Sequence, residues 1–456
     1  MAEHGAALVG TPFLEPLYTA AEMRAAEERY PGYPDSAPQL MERAGAAVAR
    51  EALAAFPEAE RYAVVCGGGS NGGDGRIAAR ALRESGRDAV ETHAVEQADV
   101  IVDALFGTGF RGEPRAEAAT LIERINAAGA PVLAVDLPSG VDASTGEIAG
   151  AAVDAAVTVT FHGAKVGLAV APGGFHAGEV VVAGIGLEAA ETEHALVTRE
   201  ILELVPRKRA ADNKYSAGAV LVVGGAPGLT GAACLAAEAA FRADAGYVAV
   251  AVPAESLPVV EAKLLEPVKT TWSELDEAAA KAGVVALGPG LGRTDEARAL
   301  VRRLLAELEQ PVVLDADALH ELEPGDWRPP VVLTPHAGEL GRLLGESSSW
   351  VDAHRLEAVR RGADRFDCVC LLKGSDTIIA APGAAVWVCR APTASLATAG
   401  TGDVLTGVLA AYLAKGLEPR TAAAAAATAT AEAARLVSAT GAIASDVIAA
   451  LPAVRP

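Results

Sequence analysis

Short, wholly apolar runs recur along this chain, each followed by a glycine-rich or Asp-ended turn and then a helical stretch, and this restricts the architecture sharply. Tyr62–Cys66 leads into Gly67–Gly75 and a helical stretch Arg76–Ser85, while Val100–Ala104 and Val132–Val135 lead into turns that carry Asp103 and Asp136. A strand apolar on both faces needs cover on both faces, and alternating helices supply it. An α/β chain with mainly parallel sheets is expected. The same grammar resumes from about Pro206, with runs Ala219–Val223, Tyr247–Val252, Val284–Leu287, Val312–Asp315, Val331–Thr334 and Cys368–Lys373. The polar, acidic stretch Glu188–Glu203 separates the two series, so domains are expected at 1–195 and 196–456.

The charge balance of 38 basic against 59 acidic residues, net −21, disfavours binding to phosphate backbones, and no nucleic-acid partner is expected. A nucleotide remains compatible, because backbone N–H groups at a helix N-terminus hold phosphate without many cationic side chains. The cysteines (Cys66, Cys234, Cys368, Cys370 and Cys389) are odd in number and form no CxxC pair, which argues against zinc and against a disulfide framework. Cys368 and Cys370 fall on one strand face and read as core. The Ala422–Ala427 run reads as a buried helix, not a membrane span. With no apolar leader, a cytoplasmic protein without a membrane partner is expected, and a homo-oligomer with it.

Gly67–Gly75 holds six glycines in nine residues around Ser70, Asn71 and Asp74. Glycine allows close backbone approach to a ligand, and the following helix points its N–H groups at the loop. No Lys-Ser/Thr pair follows, so this is not a P-loop. A tight turn would use the same glycines, and Asp103 and Asp136 taken singly would serve as turn or helix caps. Two Asp-ended strands together with the NGGDG loop read as a pocket at the carboxyl edge of a parallel sheet.

NGGDG, DALFGTGFRG, VDLPSGVD and Thr160–Leu168, in this order and spacing, resemble the NAD(P)H-hydrate epimerases. The resemblance implies a Rossmann-like fold and a bound potassium ion held by Asn71, Asp103 and Ser139, oxygen donors suited to a hard cation. It also implies a substrate lining of Ser70, Asn71, Gly72, Gly73, Asp74, Gly107, Thr108, Gly109, Phe110, Arg111, Gly112, Glu113 and Asp136. Ser70 stands where the family usually carries Asn. Epimerisation at C6 of the hydrate, by water loss and return or by ring opening, needs a positioned acid or base near the hydroxyl, and Asp136 is the expected one.

In the second series, Thr398–Gly407 reads TAGTGDVLTG and opens an Ala-rich helix. Successive N–H groups of the GTG turn form an anion hole at the helix N-terminus, and Asp403 stands in the first turn, where it can take a proton from an attacking hydroxyl. A helix cap would place the same Asp there. Lys373–Thr377 (Lys373, Gly374, Ser375, Asp376, Thr377) follows a strand, with Lys373 as a point charge for phosphate. His336 of LTPHAGE also follows a strand end. Asp315 and Asp317 of LDADAL look like a metal pair but read as structural.

GPGLG, LDADAL, LTPHAGE, LLKGSDT and LATAGTGDVLTG together resemble the ADP/ATP-dependent NAD(P)H-hydrate dehydratases, which are ribokinase-like in fold. The resemblance implies an adenine-nucleotide site at Lys373–Thr377 and Gly402. It implies a hydrated-nicotinamide site at Ala232 or Ala233, Gly290 or Gly292, His336 and Asp403, with ADP as co-substrate and Mg2+ accompanying it. Two alternatives stand beside this reading. One is a ribokinase-like kinase of a vitamin precursor, which shares GTGD. The other is a non-catalytic scaffold, since the epimerase-type fold also serves in RNA decay. The fusion of two halves with one shared substrate favours repair of hydrated NAD(P)H.

Overall fold

The computed structural model describes residues 11–390 and 393–454. Strands Arg61–Cys66, Asp88–Glu91, Val100–Ala104, Val132–Val135, Val157–Phe161 and Glu179–Ala183 form a six-stranded sheet in which every pairing is parallel. Arg61–Cys66 lies between Asp88–Glu91 and Val100–Ala104, so the direction of winding reverses beside it. At such a reversal the two following loops diverge and leave a crevice at the strands' carboxyl ends.

The second sheet has twelve strands, in the order Val268–Thr271, Tyr247–Val252, Ala219–Val223, Val284–Leu287, Val312–Leu314, Val331–Leu333, Val369–Leu372, Asp376–Ala380, Val386–Arg390, His194–Val197, Leu14–Tyr18 and Ala164–Lys165. The first seven are parallel, and the next two join by antiparallel pairings. Its winding reverses between Ala219–Val223 and Val284–Leu287. Both halves are thus α/β with mainly parallel sheets.

Two features go beyond the sequence reading. Within the acidic stretch 188–203, His194–Val197 pairs antiparallel with Leu14–Tyr18 and parallel with Val386–Arg390, so the large sheet recruits strands from before residue 198. Local composition hides this strand because tertiary pairing selects it. The glycine loop is also shorter than its composition suggests. The helix starts at Ser70 and runs to Glu84, with Gly69 as N-cap, so only Gly67–Gly69 precede it.

The helical glycines serve close packing. A Cβ on Gly72 would lie 1.9 Å from the Gly67 carbonyl oxygen, and one on Gly75 would lie 2.5 Å from Ala104 Cβ. In GPGLG the need is conformational: Gly288, Gly290 and Gly292 have φ of 126°, 61° and 81°. There the chain crosses the neighbouring loop, and Gly225 N and Ala226 N donate to Pro289 O and Gly290 O.

The Ala-rich helix Pro419–Arg435 buries Ala422 through Ala427, as expected of a core helix. Its neighbour Thr401–Ala414 crosses Thr230–Arg242 closely, a Cβ on Gly407 meeting Ala236 O at 2.1 Å. Small residues let these two helices approach each other, which fixes the start of the Thr401 helix. Cys234, Cys368, Cys370 and Cys389 are buried, and burial pushes the Cys370 and Cys389 thiols up to about 12.

Candidate functional sites

The first site lies at the reversal of the six-stranded sheet. Asp103, at the end of Val100–Ala104, is fully buried: Oδ1 accepts from Ser139 Oγ at 2.7 Å and Oδ2 from Ser139 N at 2.8 Å. Phe106 N donates to Ser139 Oγ at 2.9 Å, and Asn71 Nδ2 donates to Phe106 O at 2.9 Å. Asn71, Asp103 and Ser139, distant in sequence, are therefore joined through one backbone residue. Asn71 Oδ1, the Asp103 carboxylate, Ser139 Oγ and the Phe106 carbonyl form an all-oxygen set. Burial pushes the Asp103 carboxyl up to about 6 against its bonds from Ser139 and Leu105. The donors reaching it in the structure are neutral, so a nearby cation would stabilise its charged form. Among the described residues no group of three or more His, Cys, Asp or Glu side chains could hold a metal ion, so a cation here relies on amide, hydroxyl and carbonyl oxygens.

Asp136 closes the strand Val132–Val135 with a left-handed φ of 66°. Its Oδ1 lies 2.6 Å from Lys165 Nζ and accepts from Thr160 Oγ1 at 3.1 Å. Lys165, fully buried, also donates to Thr160 Oγ1 at 2.8 Å and to Phe161 O at 2.9 Å. Burial, then the charges of Asp136 and Glu27, push the buried Asp74 carboxyl up to about 8 despite Lys165. The site thus holds one carboxylate ion-paired to lysine and one carboxyl kept neutral at neutral pH, a division that suits acid–base work. Ser70 is exposed at the helix start, Gly72 is buried, and Gly73 faces Met41, where a Cβ would lie 2.6 Å from Sδ. Gly107 and Thr108 are half-buried, a Cβ on Gly107 would crowd Asn71, and Phe110 stacks on Phe106 at 4.7 Å. Gly109, Arg111, Gly112 and Glu113 are exposed on the same loop.

The second site lies at the carboxyl edge of the large sheet. Gly400 caps the helix Thr401–Ala414 with φ 92°, and Asp403 is its third residue. Burial first, then Asp315, push the Asp403 carboxyl up to about 7 against Lys373, with smaller contributions from Asp317 and Glu339. Lys373 Nζ lies 2.6 Å from Asp315 Oδ1 and 4.0 Å from Glu339 Oε2, and a Cβ on Gly402 would stand 3.4 Å from that nitrogen. The lysine therefore sits against the GTG turn. Burial favours its neutral form, but Asp315 and Glu339 outweigh this and raise its pKa.

His336 is the exposed N-cap of the helix Ala337–Leu344. Its Nδ1 accepts from Gly338 N at 3.0 Å while Glu339 Oε2 accepts from His336 N at 2.9 Å, a capping box that leaves Nε2 as the protonated nitrogen. Of the two helix alanines, Ala232 is half-buried and Ala233 fully buried against the Gly225 turn. Gly290 is buried under Leu229, whereas Gly292 is half-buried and donates its N–H to Asp317 Oδ2 at 3.0 Å. Gly374 is exposed and Ser375 half-buried, and Thr377 Oγ1 donates to Gly374 O at 3.3 Å. The Asp376 carboxylate turns into the fold, 2.8 Å from Arg355 Nε and accepting from Ala171 N at 2.7 Å.

Sequence reasoning gave no role to Lys165, Thr160 or Glu27, and read Asp315 as structural. Lys165 and Thr160 lay within the quoted motif, and the wholly buried environment that makes the lysine a partner for Asp136 is a tertiary property. Glu27 belongs to no motif.

Two mainly parallel sheets, each carrying at its carboxyl edge a raised carboxyl and a lysine–carboxylate pair, define a two-site α/β enzyme. A family model described as NAD(P)H-hydrate dehydratase matches residues 220–452, and one described as YjeF-related protein N-terminus matches residues 37–97 and 85–167. A bifunctional NAD(P)H-hydrate repair enzyme of Moorella thermoacetica is 37% identical, with 84% of this chain and 85% of that one covered. The protein of the same description from Escherichia coli is 35% identical over 84% and 81%. An ADP/ATP-dependent NAD(P)H-hydrate dehydratase of Bacillus subtilis, co-crystallised with ATP and Mg2+, superposes with a TM-score of 0.52 at 30% identity, covering 56% of this chain and 96% of that one. The chain belongs to the bifunctional NAD(P)H-hydrate repair enzymes.

Proposed function

We propose that residues 1–195 interconvert the R and S forms of hydrated NAD(P)H, and that residues 196–456 dehydrate the S form with ADP, giving AMP and phosphate. The observation that carries this reading is the pairing, at each carboxyl edge, of a carboxyl raised toward neutrality with a lysine-bound carboxylate.

In the first site Asp136 is the base and Asp74 the acid. Asp136 takes the proton of the C6 hydroxyl as that oxygen becomes a carbonyl and the C6–N1 bond breaks, while Asp74 protonates N1. Rotation about C5–C6 and re-addition of N1 to the other face of C6, with both protons returned, gives the other epimer. Asn71, Asp103 and Ser139 would hold a potassium ion, which supplies positive charge to the loops facing the substrate's phosphates. Ser70–Asp74 and Gly107–Glu113 line that substrate. In the second site Asp403 takes the proton of the C6 hydroxyl as that oxygen forms a bond to the β-phosphorus of ADP and AMP departs. The GTG backbone and Lys373 stabilise the charge on the transferring group. Phosphate then leaves with the C6–O bonding pair while C5 loses a proton, restoring the ring double bond. Lys373–Thr377 and Gly402 bind the nucleotide, Asp376 through its backbone, and magnesium would come with its phosphates. Ala232, Gly292 and His336 face the nicotinamide. This reading keeps the expectation of a cytoplasmic homo-oligomer. Among the described residues, no helix is long and apolar enough to cross a membrane.

The test is Asp403→Asn. ADP-dependent dehydration of the S hydrate falls by roughly 10³-fold, while nucleotide binding by calorimetry persists because the loop N–H groups remain. Turnover near that of the parent would reduce Asp403 to a helix cap.

A further inference from the structure

Asp315 sits at the end of Val312–Leu314, almost wholly buried. Its carboxylate ties together three segments that approach the second site from different directions. Thr334 Oγ1, after the strand Val331–Leu333, donates to Oδ1 at 2.9 Å. Lys373 Nζ, after Val369–Leu372, donates to the same oxygen at 2.6 Å. Thr406 Oγ1, one turn beyond Asp403 on the same helix, donates to Oδ2 at 2.7 Å. The Asp315 carbonyl accepts from Ala318 N at 3.1 Å and lies so close to Gly288 that a Cβ there would stand 1.8 Å from it.

From this geometry we infer that Asp315 is a positioning residue for phosphoryl transfer: it aims Lys373 at the GTG turn and locks the Asp403 helix in register with it. The inference rests on the dehydratase reading. Lysine has three N–H bonds. One is spent on Asp315 and a second faces Glu339 at 4.0 Å, while the nitrogen lies beside Gly402. A donor is thereby left for the anion that the turn receives. Without Asp315 the ammonium has Glu339 and Asp403 as its remaining carboxylate neighbours. Pairing with either would draw it from the phosphoryl position.

A second consequence follows from the charges facing Asp403, which are Asp315, Lys373, Asp317 and Glu339, with Arg293 paired to Asp317. Asp315 disfavours ionisation of Asp403. Removing its charge lowers the Asp403 pKa, so the base stays ionised to lower pH.

The experiment uses the full chain carrying Asp315→Asn. The kcat for ADP-dependent dehydration is expected to fall roughly 10²-fold, as for misplacement of a catalytic group. Its acid limb should move to lower pH, and epimerisation should remain at the parent rate. In a Lys373→Met background the added Asp315→Asn should cost less than in the parent, because the share that acts through Lys373 is already lost and only the Thr406 link remains. A kcat within about threefold of the parent, with an unmoved acid limb, overturns the inference. If Asp315→Asn loses both activities by unfolding, the isosteric Thr406→Val, which cuts only the helix link, decides by the same kcat criterion. Failure of Asp403→Asn to impair dehydration would instead sink the dehydratase mechanism itself, so the two failures are distinguishable.

Discussion

The two raised carboxyls demand opposite things of pH. Asp74, pushed up to about 8 by burial and by Asp136 and Glu27, must be protonated to act as an acid. Epimerisation should therefore be lost as pH rises through about 8. Asp403, pushed up to about 7 by burial and Asp315, must be ionised to act as a base, so dehydration should be lost as pH falls through about 7. Rate profiles for each reaction with saturating substrate should show a basic limb for one and an acid limb for the other; coincident profiles would contradict the assignments. The same shifts bear on stability. Each carboxyl binds its proton more tightly folded than unfolded, so its contribution is present below the ordinary Asp pKa and lost as pH rises through about 7 or 8. At this scale the sequence was partly legible. Asp136 stands out by its place after an apolar strand, and Asp403 by its place after the GTG turn. Asp315 also followed a strand, but the Asp315–Asp317 pair read as structural, and the meeting of Thr334, Lys373 and Thr406 on its carboxylate exists only once distant segments come together.

At the level of elements, the apolar runs were good guides because a strand buried on both faces carries its signal locally. Val100–Ala104, Val132–Val135, Ala219–Val223, Tyr247–Val252 and Val284–Leu287 fall where the runs lie. Leu14–Tyr18 and His194–Val197 were not legible, since one contains Pro16 and the other lies in an acidic stretch, and each becomes a strand through the partner it meets. The glycine-rich loop misled in extent. Its helical glycines resemble loop residues in composition but serve contact between Ser70–Glu84 and the sheet. This yields a direct prediction. Gly72→Ala places a methyl 1.9 Å from the Gly67 carbonyl and should destabilise the six-stranded half by about 2 kcal/mol. Calorimetric unfolding should show a lowered transition with epimerisation impaired and dehydration retained. An unchanged transition with full epimerisation would mean that the loop yields freely.

At the scale of the whole molecule, the halves are connected more closely than a linker would connect them. The large sheet includes Leu14–Tyr18 and Ala164–Lys165, and Ala171 N donates to the Asp376 carboxylate within the proposed nucleotide loop. Yet the groups proposed to do chemistry do not mix: Asp74, Asp136 and Lys165 gather at one sheet edge, Asp315, Lys373 and Asp403 at the other. The central claim is that one chain carries two separately complete active sites acting in series on one damaged cofactor. Asp136→Ala tests it most directly. Folded variant is given an equal mixture of R and S hydrates with ADP, and NAD(P)H formation is followed by absorbance. The account predicts a fast phase that consumes the S form alone, followed by a slow phase limited by spontaneous epimerisation. Fast, complete conversion of both forms by the variant would contradict both the role of Asp136 and the division of labour between the sites.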